Sequence, residues 1–166
     1  RDNAGQGINI DVDADATTFN SSTSDLNLAS CSNVLFAGLY WGAGEGGNGG
    51  NTSWYASHHK VKLKLPGAAA YTNITSTQTD LYNSGNPAGF SYTGFQCFAN
   101  ITGLVNATNP NGTYTVADVV PPIGKTNAFG GWTIVIVYGN PSLPSRNLTV
   151  FDGCAIVIKN NPPVDV

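Results

Sequence analysis

The chain has 166 residues and a net charge of −3, with 7 Lys and Arg set against 10 Asp and Glu. Hydrophobic residues make up 41%, enough for a buried core, while charged residues make up only 10%, so Asn, Ser, Thr and Gly must supply the polar surface. No basic stripe is present to displace counterions from nucleic acid, and no apolar run is long enough to span a membrane.

The first predicted element is GINIDVDADATT, residues 7 to 18. Ile8, Ile10, Val12, Ala14 and Ala16 alternate with Asn9, Asp11, Asp13 and Asp15. A period of two puts the apolar side chains on one face of a strand and the acids on the other. The three acids begin like a calcium loop, but Ala16 stands where that loop needs Gly, and Ser22 stands where it needs Glu. They are expected to form the solvated face of the strand, with no metal. TTFNSSTSDLNLASCS, residues 17 to 32, is polar and reads as a linker. Residues 1–30 are thus expected to be an extension and linker, with a β-sandwich domain at 31–166.

NVLFAGLYWG (33 to 42) reads as a buried strand, and GAGEGGNGGNTS (42 to 53) as a Gly-rich loop lacking the Lys-Ser/Thr of phosphate-binding loops. Trp54 and Tyr55 follow it and are the best-placed pair to stack on a sugar; core packing is the other reading. HKVKLKL (59 to 65) alternates, with Lys60, Lys62 and Lys64 on its wet face. AAAYTNITST (68 to 77) is a strand, QTDLYNSGNPA (78 to 88) a loop, and GFSYTGFQCFANIT (89 to 102) a strand with a break point at Gly94. GLVNATNPNG (103 to 112) holds a turn or one helical turn, and TYTVADVV (113 to 120) is a strand that stops at Pro121. GWTIVIVYGN (131 to 140) reads as a central strand, and RNLTVFDG (146 to 153) and CAIVIKN (154 to 160) close the set. Eight or nine short strands between Gly, Pro and Asn turns predict an all-β, jelly-roll-like β-sandwich with an N-terminal extension strand.

Little in the chain promotes catalysis. Glu45 is the sole glutamate and would need Asp80 or Asp152 as an acid-base partner. The adjacent His58 and His59 have no Cys or acid at zinc-ligand spacing. No enzyme and no cofactor are expected. Of Cys31, Cys97 and Cys154, two can pair in an oxidising compartment, Cys31 with Cys97 being preferred; three buried thiols are the alternative. Asn20, Asn51, Asn73, Asn100, Asn106, Asn111 and Asn147 each begin an N-glycosylation sequon. Together with the charge-poor composition they predict an extracellular glycoprotein. The lack of Met and of a signal peptide is what a mature or trimmed chain would show.

FAGLYWGAG, VKLKLPG, NGTYTVADV and GGWTIVIVYGNPSLPSRNLTVFDG occur in that order between residues 33 and 160. This succession resembles a β-sandwich module of large bacterial and archaeal cell-surface, adhesin-like proteins. The resemblance is most specific from Gly130 to Gly153. It departs at Gly139, where the family usually has an acid, and at Cys154, where an aromatic is expected. It implies an extracellular β-sandwich without known catalysis. The N-terminal extension resembles the donor strand of pilus subunits, which inserts into a neighbouring sandwich. The expected function is therefore a structural subunit of a pilus-like filament, a head-to-tail homopolymer. The alternative is a self-contained adhesin or carbohydrate-binding domain.

Overall fold

The chain's strand-forming runs assemble into two four-stranded antiparallel sheets. The computed structural model describes residues 8–47, 56–85, 91–125 and 128–151. In chain order its elements are β1 (Ser21–Leu26), β2 (Asn33–Gly47), β3 (Lys60–Lys64), β4 (Thr72–Thr75), β5 (Gln78–Gly85), β6 (Ser91–Asn100), a one-turn α1 (Thr102–Asn106), β7 (Gly112–Ala117) and β8 (Ala128–Gly139). The first sheet runs β1-β7-β3-β4 and the second β5-β6-β2-β8.

Alternation along the strands explains why the sheets pack face to face. In β2, Ala37, Leu39, Trp41 and Ala43 are buried, and β6 presents Phe95, Cys97 and Ala99 on the same side. Val61 and Leu63 of β3 with Tyr114 and Val116 of β7 close the core from the first sheet. Two indoles tie the layers together. Trp41 Nε1 donates to the His58 carbonyl at 2.7 Å, and Trp132 Nε1 to Ser22 Oγ at 2.8 Å. β2 and β6 approach closely at Gly42, where a Cβ would lie 2.7 Å from the Phe95 carbonyl oxygen. The all-β sandwich expected from the sequence is present, with eight strands among the described residues.

Several elements depart from expectation. β1 lies inside the stretch read as a linker and has Leu26 as its one apolar residue; its ladder to β7 holds it, from Ser21↔Ala117 to Leu26↔Gly112. β2 runs on through the first half of the Gly-rich loop because both flanking strands pair with it, Glu45 opposing Thr93 and Ala128. β5 occupies residues expected as loop and is held along its length by β6. β8 was expected in a sheet centre and stands at the edge of the second sheet among the described residues. Residues 146–151 are irregular, and Cys154 with the closing strand at 154–160 lies outside the described residues.

Residues 8–16 form no strand. The chain turns at 13–18 instead, with Ala14 at φ 52° in the left-handed region and Thr17 N donating to Asp15 Oδ1 at 2.9 Å. The Cys31–Cys97 pairing is also corrected, since both thiols are free. Cys97 lies opposite Trp41 in mid-sheet, whereas Cys31 precedes the first residue of β2, Asn33. That separation is roughly 25 Å of extended chain, far beyond the reach of a disulfide.

Candidate functional site

The two sheets end together along one side of the sandwich, where β1 and β8 border an open groove of about 350 Å³. Its apolar surface comes from Leu26, Tyr114, Trp132, Ile134 and Ile136. Trp132, Ile134 and Ile136 point to the core side of β8 yet stay only partly buried, packed against the core cluster. Among the described residues, groove and edges together form a slot that presents main-chain groups and apolar side chains. An exposed edge beside an apolar floor is what strand addition uses. Nothing in the sequence of β8 distinguishes such an edge from a sheet centre.

The N-terminal segment reaches one end of this slot. Ile8 and Ile10 join Val119, Pro121, Phe129 and Trp132 around an opening of about 550 Å³. The segment's apolar side is not buried, as it would be in a strand paired on the core. Its acids are anchored and its apolar residues face solvent, with Ile8 77%, Ile10 63% and Val12 51% exposed. Ala14 and Ala16 are exposed as well. The Ser21 hydroxyl lies 2.7 Å from Asp11 Oδ1 and 3.0 Å from Asp13 Oδ1, and Val12 N donates to Ser21 Oγ at 2.9 Å. Tyr71 donates its hydroxyl to Asp13, and Lys62 donates to the Thr17 carbonyl while pairing with Asp118 at 3.0 Å. Asp118 in turn accepts from Phe19 N at 2.9 Å.

These polar contacts act as a latch with a pH window. The Tyr71 hydroxyl bond holds the Asp13 carboxyl below its ordinary value of 3.8. Burial, and then the Asp13 bond, push the Tyr71 hydroxyl above its ordinary 10.0. A lowered acid stabilises the attached form above its unfolded pKa and loses that effect as pH falls through the folded one. A raised phenol stabilises it below its unfolded pKa and loses that effect as pH rises through the folded one. In the unassembled monomer, attachment of residues 8–18 is therefore expected to weaken both below pH 3.8 and above pH 10.0. Amide exchange of Val12 and Ser21 across pH checks this, and Tyr71→Phe should loosen the segment at neutral pH.

Of the described sequon asparagines, Asn73, Asn100, Asn106 and Asn147 are exposed. Asn111 is tied to the β1–β2 connection, its side chain accepting from Leu28 N at 2.7 Å and donating to Leu28 O at 3.0 Å. Asn20 Nδ2 donates to Val119 O at 2.7 Å, and Asn106 Nδ2 to Val34 O at 3.2 Å. Asn51, Trp54 and Tyr55 lie outside the described residues.

Glu45 is buried in β2 opposite Thr93, whose buried hydroxyl has no hydrogen-bond partner among the described residues. Asp152, the other acid weighed as a partner for Glu45, lies outside the described residues. His58 and His59 pack edge to face at 5.5 Å. Among the described residues no three His, Cys, Asp or Glu side chains come together as a metal site, and no helix is long and apolar enough to cross a membrane. A scan against protein-family models finds no match to the chain, and searches of curated proteins and of solved structures find none either, so the cell-surface resemblance of residues 33–160 rests on its sequence motifs alone.

Proposed function

We propose that the protein is a structural subunit of an extracellular, pilus-like filament. Copies join head to tail when the N-terminal segment of one enters the slot between β1 and β8 of the next. The observation that carries this reading is a pairing of opposites on one molecule. Among the described residues, an alternating segment leaves Ile8, Ile10 and Val12 in solvent, and an apolar slot stands open at two sheet edges. Moving each of those side chains into an apolar groove contributes about 1.5–3 kcal/mol before ordering costs. The contact uses different surfaces on the two copies and does not close on itself, so it propagates as a fibre.

Because β1 belongs to the sandwich, the hinge between subunits is the turn at 13–18 rather than a linker running to residue 32. Among the described strands the chain crosses between sheets at five connections, which supports a jelly-roll-like winding. Fibre formation should be lost when residues 1–18 are deleted, because β1 and its ladder to β7 begin only at Ser21 and remain intact. Normal fibres from that variant would exclude the donor role.

The seven sequons and the charge-poor composition support a cell-surface location with N-linked glycans and no catalytic activity. Glycan mapping of native material should find sugar at exposed Asn73, Asn100 and Asn147 and none at Asn111, whose amide already serves both Leu28 main-chain groups. Full occupancy at Asn111 would contradict the assigned tie.

A further inference from the structure

We infer that Asn100 carries a structural N-glycan, whose first pyranose lies on the Phe98 ring and covers an aromatic patch on the outer face of the second sheet. This rests on the N-glycosylation put forward above and gives one of its sugars a seat on the protein.

The patch follows from alternation. Ala37, Leu39 and Trp41 of β2 are buried in the core, so Phe36, Gly38 and Tyr40 stand on the outer face. On β6, Phe95, Cys97 and Ala99 are buried, which leaves Phe98 and Asn100 outside. The register sets Phe98 opposite Tyr40 and Asn100 opposite Gly38. The Phe98 ring centre lies 4.9 Å from that of Tyr40, and 6.3 Å from that of Phe36, on which it stacks. Gly38 makes room for them: a Cβ there would lie 2.8 Å from Phe36 Cζ and 3.0 Å from Phe98 Cε2. Both phenyl rings therefore lean over Gly38, the residue directly across from Asn100. All three aromatic side chains are half-buried, and Asn100 is exposed.

The Asn100 carboxamide is held in one orientation. Ala37 N donates to Thr102 Oγ1 at 2.9 Å, and that hydroxyl donates to Asn100 Oδ1 at 2.7 Å. Thr102 N, which can only donate, meets the same oxygen at 3.0 Å. Nδ2 is thereby turned away from Thr102, and no hydrogen bond among the described residues uses it. Asn20, Asn106 and Asn111 differ, since each commits Nδ2 to a main-chain carbonyl. Modification joins Nδ2 to C1 of a sugar carried on a lipid diphosphate. The N–C1 bond forms as the C1–O bond to phosphate breaks, the lipid diphosphate leaves, and the amide nitrogen gives up one proton.

Alternate residues of a strand lie about 7 Å apart on one face, so the first pyranose on Asn100 reaches back over Phe98. A pyranose with equatorial hydroxyls presents a face of C–H groups that matches an aromatic ring, while its hydroxyls stay in water. Asn73 also follows an aromatic by two residues, but Lys64 Nζ lies over that Tyr71 ring at 5.6 Å. Asn147 follows Ser145 and has no ring at that spacing.

The test compares the full-length glycoprotein from its own cells with the same chain from a host without N-glycosylation, each with and without Phe98→Leu. Peptide mapping by mass spectrometry should find sugar on Asn100. The sugar should raise the unfolding midpoint, and Phe98→Leu should remove about 2–4 °C of that gain, sugars at other positions cancelling in the comparison. In the unmutated glycoprotein, proton resonances of the first sugar on Asn100 should lie upfield of those on Asn147, because the ring beneath shields them. An Asn100 without sugar overturns this inference and the glycan part of the reading above, leaving the filament untouched. A sugar-dependent gain that Phe98→Leu leaves unchanged, or equal resonances at Asn100 and Asn147, overturns the seat on Phe98 alone.

Discussion

Replacing Trp41 with alanine is expected to lower stability by about 3–5 kcal/mol, the range for removing a buried large aromatic. Trp41 is 2% exposed and stands at the centre of the second sheet, paired to Cys97 on one side and Trp132 on the other. Its side chain crosses the core to the His58 carbonyl, which precedes β3 in the first sheet. The substitution therefore empties a cavity and also withdraws one donor from a main-chain acceptor. Domains of this size are stable by only about 5–15 kcal/mol, so the loss is a large share of the total. Urea unfolding followed by circular dichroism should show the midpoint falling by roughly 2 M, and Trp41→Phe should recover most of the volume term. A midpoint unchanged by Trp41→Ala would mean that the two sheets do not close over this residue.

The Ile8→Asp/Ile10→Asp chain is expected to unfold like the parent and to fail at assembly. Both isoleucines are largely exposed in the monomer, where surface substitutions change stability by only about 0.5 kcal/mol. In the exchanged state each would occupy an apolar slot, so their joint loss weakens association by about 10² to 10⁴-fold. Leu81→Asp is the matched control. Leu81 is 57% exposed on β5, at the far edge of the second sheet from β8, and its replacement should leave assembly intact. Sedimentation of the three chains at equal concentration separates a specific strand exchange from general surface stickiness. Equal loss in the Leu81→Asp chain would favour stickiness.

The sequence reveals the sheets better than it reveals their limits. VKLKL and TYTV declare themselves because one face is apolar and the other wet, and the structure has strands at both. SSTSDL carries no such alternation, since its groove-side residues Ser22 and Ser24 are polar and its ladder to β7 does the holding. β5 escapes notice for the same reason, and the glycines of β2 look like a loop although flanking strands pair with them. Alternation alone also misplaces the N-terminal segment. GINIDVDADATT has the pattern of a strand, but the Asp13–Tyr71 and Asp11–Ser21 contacts bind its polar side first. Tyr71 and Ser21 give no local hint of that role, because both meet the acids only through the fold. The slot is likewise invisible in the chain, since the apolar run at 132–137 fits a sheet centre as well as an edge.

Electron microscopy of the concentrated full-length protein near neutral pH tests the central claim most directly. The account predicts unbranched fibres with one sandwich per repeat, absent from the chain lacking residues 1–18. A concentrated solution of the intact chain that holds only single sandwiches would contradict it.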